Sequence, residues 1–281
     1  MTVIHERPSN PAAGDEDRPI GYGRIQRKED PRFVRGKGNY LDDIVLPGML
    51  HGAILRAPVA HARLVSIDTT NALAHPKVLA VITGKDLLGL KLAWAPTLSA
   101  DVQAVLVTDK VRFQGQEVAF VVAEDRYAAR DALELIDVEY DVLPPVIDAR
   151  KALDADAPVI RDEIEGKTDN HIFDWEMGDK AETEAVFASA DVVVSQEMVY
   201  PRVHPAPMET CGAIADFDAV DGKLTLYETT QAPHAHRTLF AIVAGIPEHK
   251  IRVVSPDIGG GFGNKVGIYP GYILAVVGSI V

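Results

Sequence analysis

Four glycines fall within five residues in Gly259-Gly260-Gly261-Phe262-Gly263, followed by Asn264 and Lys265. The run lies between a strand pattern and a helical one, where a glycine-rich loop can bring backbone N–H groups against a phosphate or another anionic cofactor atom. A tight turn between packed elements accounts for one or two glycines but not for four. Two nucleotide loops are excluded by spacing. A Walker A loop needs glycine directly before its lysine and Ser or Thr after it, but Asn264 and Val266 stand there; a dinucleotide-binding Gly-x-Gly-x-x-Gly starting at Gly259 would need glycine at 264. A second group with chemical capacity is Gln231, in Thr229-Thr-Gln-Ala-Pro-His234 at a strand-to-helix junction. Its neutral amide offers a ligand both a donor and an acceptor, although a glutamine in such a turn also serves simply to cap backbone groups.

The other reactive side chains give weaker signals. The single cysteine, Cys211, has no sequence-local base and reads as a small buried hydrophobe. Nine histidines show no His-Glu-x-x-His or other ligand-rich spacing, so no metal site is expected of this chain's own side chains. In His234-x-His236 the two rings fall on different faces if a helix begins at Pro233.

These groups must be held by an α+β framework. Strands are predicted at 50–56, 64–67, 78–83, 111–113, 118–123 and 138–140, with an amphipathic helix over 125–136 capped by Asp125. The nearly all-apolar stretch from Glu117 to Ala123 suits a strand covered on both sides. Leu143-Pro-Pro145 ends that unit, and an acidic, proline-containing linker follows. Beyond it, Asp179-Lys-Ala-Glu182 predicts a capping box opening a helix to Ala188. Strands are expected at 192–200, 212–217 and 224–228, the last two joined through Asp221-Gly222. Pro233 suits a first helical turn closed by Gly245, and a strand over 250–255 leads into the glycine run.

The last segment, Pro270 to Val281, reads as a core helix that stops without a polar turn or cap. It is too short for the roughly 20 residues that span a membrane, and it carries Ser279 and two glycines. The expectation is the front part of a longer protein, with an unpartnered apolar segment that drives association.

A length of 281 residues suits roughly two domains of about 150. With 28 Lys plus Arg against 41 Asp plus Glu, the net charge of −13 disfavours nucleic-acid binding. One cysteine excludes an iron–sulfur cluster or multi-thiolate zinc site built from this chain alone. The first residues lack the apolar core of a secretory signal, so the expectation is a cytoplasmic protein with a mobile tail over residues 1–20.

Together, Gln231-Ala-Pro-His234, Pro247-Glu-His-Lys-Ile251, Asp257-Ile-Gly-Gly-Gly-Phe-Gly-Asn-Lys-Val-Gly267 and Tyr269-x-Gly-Tyr272 resemble the large, molybdenum-binding subunit of aerobic carbon monoxide dehydrogenases, in the xanthine oxidase family of molybdenum hydroxylases. Glu29-Asp-Pro-Arg-Phe33, Gly36-Lys-Gly-Asn-Tyr40, Leu46-Pro-Gly-Met-Leu50, His61-Ala-Arg63, Gly115-x-Glu117 and His204-Pro-x-Pro-x-Glu-Thr-Cys211 agree, so the resemblance runs from about Gly21 to Val281. It implies an α/β hammerhead domain over 21–145, a linker over 146–170 and the first part of a molybdenum-cofactor-binding domain over 171–281.

The cofactor implied is molybdopterin cytosine dinucleotide carrying molybdenum. Gln231 would hydrogen-bond an oxygen ligand of the metal, and Gly260, Gly261, Phe262 and Gly263 would pack against metal and pterin, with Gln231 and Phe262 at the catalytic centre. The resemblance further implies copper in the complete enzyme, on a cysteine outside this chain, and a base glutamate likewise outside it. FAD and [2Fe-2S] would sit on a medium and a small partner subunit, in a dimer of heterotrimers that can lie at the inner face of the membrane. The activity implied is oxidation of carbon monoxide with water to carbon dioxide. Relatives that hydroxylate aldehydes or N-heterocycles share this front region, and an inactive fragment is the non-enzyme alternative.

Overall fold

The computed structural model describes residues 27–88, 93–94 and 103–281. The expected tail over 1–20, and the resemblance from Gly21 to Gln26, lie outside them. Contacts divide the chain into a unit Met1–Asn39 and a unit Tyr40–Val281. In the first, the short helix α1 (Asp30–Phe33) starts on Pro31, whose fixed φ suits an opening turn. The Arg32 guanidinium lies 4.6 Å from the Phe33 ring centre.

The second unit begins with β1 (His51–Arg56), β2 (Ala62–Asp68), α2 (Thr70–Leu73), β3 (Val78–Thr83), α3 (Gly84–Leu88), β4 (Ala93–Trp94), β5 (Gln103–Ala104), β6 (Lys110–Val111), β7 (Glu117–Ala123), α4 (Arg126–Leu133) and β8 (Asp137–Val142). Two antiparallel sheets result, ordered β1-β7-β3 and β6-β2-β8, beside a small β4-β5 ladder. Every residue of β7 is buried, as its unbroken apolar run requires of a central strand. Helix α4 follows its cap as expected: Asp125 accepts from the Tyr127 and Ala128 N–H groups, and those bonds together with Lys77 hold its carboxyl down at about 2. The helix ends at Leu133, short of the predicted Ile136, although Ile136 is still buried. The strand expected over 111–113 shrinks to Lys110–Val111, because Arg112 turns its N–H to the Gln116 side chain at 2.7 Å.

Residues 148–170 are pinned by polar contacts to the sheets they follow. Buried Lys110 reaches the Val159 carbonyl (3.2 Å) and Asp162 (2.6 Å), while Arg112 pairs with Glu163 (2.9 Å). Asn170 accepts from the Ile160 N–H and donates to the carbonyls of Ala152 and Pro158.

Then come α5 (Lys180–Ser189), β9 (Ala213–Asp218), β10 (Lys223–Glu228), α6 (Pro233–Ala244), β11 (Ile251–Val254) and α7 (Pro270–Ile280). Asp179 caps α5 by accepting from Glu182 N–H, but the return bond of a capping box is absent among the described residues. The strand predicted over 192–200 does not form. Val192, Val194, Met198, Val199 and Tyr200 are all exposed, and no described strand offers them the backbone partners that a β-conformation needs. Strands β9 and β10 make the expected hairpin, with Gly222 at φ +64°, and β11 joins β10 in parallel after the crossover through α6. Gly245, at φ +66°, closes α6.

Helix α7 is not unpartnered, contrary to expectation. It packs on β9, β1 and β7 and buries Tyr272, Ile273, Leu274, Val276 and Val277. The N–H of Phe217 donates to Ser279 Oγ at 2.9 Å. A Cβ on Gly278 would lie 3.2 Å from the Phe120 ring and one on Gly271 3.3 Å from Ile54, so the glycines let the helix approach the sheet. One apolar cluster thus contains Ile82 and Phe120 with Leu224, Leu226, Phe240, Tyr272 and Leu274. Among the described residues no helix is long and apolar enough to cross a membrane.

Candidate functional site

The residues singled out by type and spacing meet where β10 passes into α6. Sequence places Gln231 directly before Ala232-Pro233, so its backbone leaves the strand without entering the helix. Its N–H donates to the Lys265 carbonyl at 2.9 Å. Its Oε1 accepts from the N–H groups of Gly263 (3.1 Å) and Lys265 (3.2 Å). Both partners are donors, so the amide must face them with oxygen, and the NH2 is turned away. No described residue accepts from that NH2. The capping alternative does not hold for the helix: α6 has Ala232 as N-cap and no side-chain cap, and the backbone that Gln231 serves is the glycine loop.

The loop itself explains its composition. Gly260 and Gly263 have φ of +98° and +85°, values that side chains rarely tolerate. A Cβ on Gly261 would stand 2.5 Å from Gln231 Oε1, and one on Gly259 would stand 2.5 Å from Glu209 Cβ. Phe262 is the one non-glycine with positive φ among the described residues, at +52°, and the residue is 74% exposed. Such strain costs of order 1–3 kcal/mol and concentrates at functional sites. The N–H groups of Gly260, Gly261 and Phe262 find no acceptor among the described residues, which leaves three consecutive donors at the loop tip.

Behind the loop lie groups that spacing alone did not bring forward. Lys265 is fully buried and places Nζ 2.8 Å from Glu209 Oε2. His236, also fully buried, holds Glu228 Oε1 at 2.8 Å through Nδ1 and donates from Nε2 to the Val266 carbonyl at 2.8 Å. Burial pushes Glu228 up, against the pull of His236. Burial would lower His236, but its bond to Glu228 and that carboxylate's charge outweigh the loss and raise it. His234, by contrast, is exposed, as the two-face argument requires. Cys211 is half-buried and lies 3.6 Å from the Asn264 amide nitrogen. The strand-helix junction and the glycine run were legible as two motifs; their meeting depends on contacts between residues more than thirty positions apart.

Comparison with known proteins identifies two domains in the chain. Residues 35–144 match the family described as aldehyde oxidase and xanthine dehydrogenase, a/b hammerhead domain, and residues 164–281 match the molybdopterin cofactor-binding domain. The chain is 60% identical to the carbon monoxide dehydrogenase large chain of Hydrogenophaga pseudoflava, over 92% of this chain and 33% of that one. It is 35% identical to the nicotine 6-hydroxylase large subunit of Paenarthrobacter nicotinovorans, over 91% of this chain and 31% of that one. A crystal structure of the Cu,Mo-CO dehydrogenase in its carbon monoxide reduced state superposes with a TM-score of 0.85 at 55% identity, covering 91% of this chain and 33% of that one. The chain therefore spans about a third of the length of these relatives. With a hammerhead domain and a molybdopterin cofactor-binding domain matched in succession, the chain belongs to the xanthine oxidase family of molybdenum hydroxylases, as part of a molybdenum-binding large subunit.

Proposed function

We propose that this chain is part of the large subunit of an enzyme that oxidises carbon monoxide with water to carbon dioxide, two protons and two electrons. The observation that carries the reading of the site is the amide of Gln231, held by its oxygen so that its NH2 faces away from the protein as a donor. Gln231 would donate to an acceptor atom of the molybdenum cofactor, here molybdopterin cytosine dinucleotide. The N–H groups of Gly260, Gly261 and Phe262 would line the same face, and Phe262, Gly260, Gly261 and Gly263 would pack against the pterin and metal. These residues fit that cofactor because the glycines clear space for close approach while their N–H groups carry the partial positive charge that an anionic group needs. The bound cofactor supplies the two-electron oxidation; the residues of this chain orient it and exclude water from its buried side.

Residues 21–145 would form the hammerhead, 146–170 the link and 171–281 the first part of the cofactor domain. The complete enzyme would add copper, and FAD and [2Fe-2S] on a medium and a small subunit that carry the electrons away. Support for carbon monoxide over a nitrogen heterocycle is the 60% identity to a carbon monoxide dehydrogenase large chain against 35% to a nicotine hydroxylase. The test is the full-length subunit, assembled with its partner chains and assayed for dye reduction with carbon monoxide and, separately, with nicotine or quinoline. Turnover with carbon monoxide alone supports the proposal. Turnover with the heterocycles and none with carbon monoxide overturns it.

A further inference from the structure

We propose that Glu209 and Lys265 are positioning residues that clamp the two ends of the glycine loop and thereby set where Gln231 presents its amide. A single carboxylate oxygen, Glu209 Oε2, accepts from Gly259 N–H at 2.8 Å and from Lys265 Nζ at 2.8 Å, so it grips the first and last residues of the loop at once. The Glu209 N–H returns a bond to the Gly259 carbonyl at 3.2 Å, and Gly259 has no room for a Cβ against Glu209. Lys265 then passes the constraint on through its backbone. Its carbonyl accepts from the Gln231 N–H and its own N–H donates to Gln231 Oε1.

The chain is continuous from Glu209 through Lys265 to the amide of Gln231, and neither charged side chain need touch a ligand. Burying a lysine fully is costly unless a hydrogen-bonded partner compensates it, so the pair is held together more strongly than an exposed one.

The inference rests on reading Gln231 and the loop as the cofactor site, but its test reads the loop itself. Amide hydrogen exchange is followed in the full 281-residue chain and in Glu209→Gln, Lys265→Met and the double variant, which leaves neither charge stranded. The amides that decide are those of residues 263 and 265, which bond to Gln231 and not to Glu209. Exchange there about tenfold faster in the double variant, with the Leu226 amide of central strand β10 unchanged, is the result expected of a clamp. Unaltered exchange at 263 and 265 overturns the proposal, as does an equal loss at Leu226, which would make the pair a general support of the fold. The cofactor reading fails separately, on turnover and molybdenum content, whichever way the loop behaves.

Discussion

Gly261 and Gln231 occupy one another's space: a Cβ on the glycine would stand 2.5 Å from the amide oxygen that holds the loop. Gly261→Ala should therefore expel the Gln231 side chain, at a cost of about 1–3 kcal/mol for the overpacking. Chemical denaturation measures the cost. The N–H of Lys265, deprived of its acceptor, should exchange faster in the same variant.

Substitution of Gln231 separates its two ends. Glu keeps an oxygen facing the Gly263 and Lys265 N–H groups but replaces the donor by a second, negative oxygen, whereas Ala removes both ends. A hydrogen bond involving a charged group contributes about 1.5–3 kcal/mol, roughly 10- to 150-fold in rate. In the complete enzyme, turnover per bound molybdenum should fall by that order in Ala and further in Glu, while only Ala loosens the loop. An unchanged normalised rate in both removes Gln231 from the site.

The Glu228–His236 pair gives stability a sign with pH. Both groups are raised in the folded protein, from ordinary values of 4.5 and 6.5, so over that interval and somewhat above it the folded state binds more protons than the unfolded. Each contribution is then fully present below that group's ordinary value and is lost as pH rises through its own raised value in the folded protein. Comparing thermal midpoints of the chain and the double variant Glu228→Gln/His236→Gln, in which neither group titrates, between pH 5 and pH 8 should show a gap that narrows with rising pH; a widening gap would reverse the assignment.

Leu274, fully buried in α7, is expected to cost about 2–5 kcal/mol when cut to Ala, because the helix already has its partners in the chain. Removing residues 268–281 should lower the denaturation midpoint and should not improve behaviour in size-exclusion chromatography. Improved recovery of monomer would restore the view of α7 as an unpartnered segment.

Association should arise elsewhere. Val192, Val193, Val194, Met198, Val199, Tyr200 and Val203 form an exposed, β-prone apolar stretch, with Tyr200 98% exposed. Charged replacements at Val194 and Tyr200 should raise the monomer fraction of this chain, measured by size-exclusion chromatography with light scattering.

Local chemistry made much of the framework legible. Asp125 and Asp179 cap helices, Pro233 and Gly245 bound one, and Gly222 turns a hairpin, because each acts on backbone within a few residues. The strand expected over 192–200 failed for the opposite reason: its β-branched and aromatic residues are real, but a strand exists only through a partner, and none of the described strands supplies one. The site was half legible. Gly261 and Gln231 were visible as chemistry-bearing residues, but Glu209 with Lys265 is a contact across 56 positions, and no periodicity encodes it. Helix α7 was legible as apolar, while its glycines make sense only against Phe120 and Ile54.

The shared apolar cluster that joins Phe120 and Ile82 to Leu224, Phe240 and Leu274 draws one interior from both matched segments. Neither can be excised with its hydrophobic surface intact, so a protease cut in the intervening 145–163 stretch should nick the backbone without releasing two products. Melting should proceed as one cooperative event across the nick, since the interior that each half needs is built partly from the other.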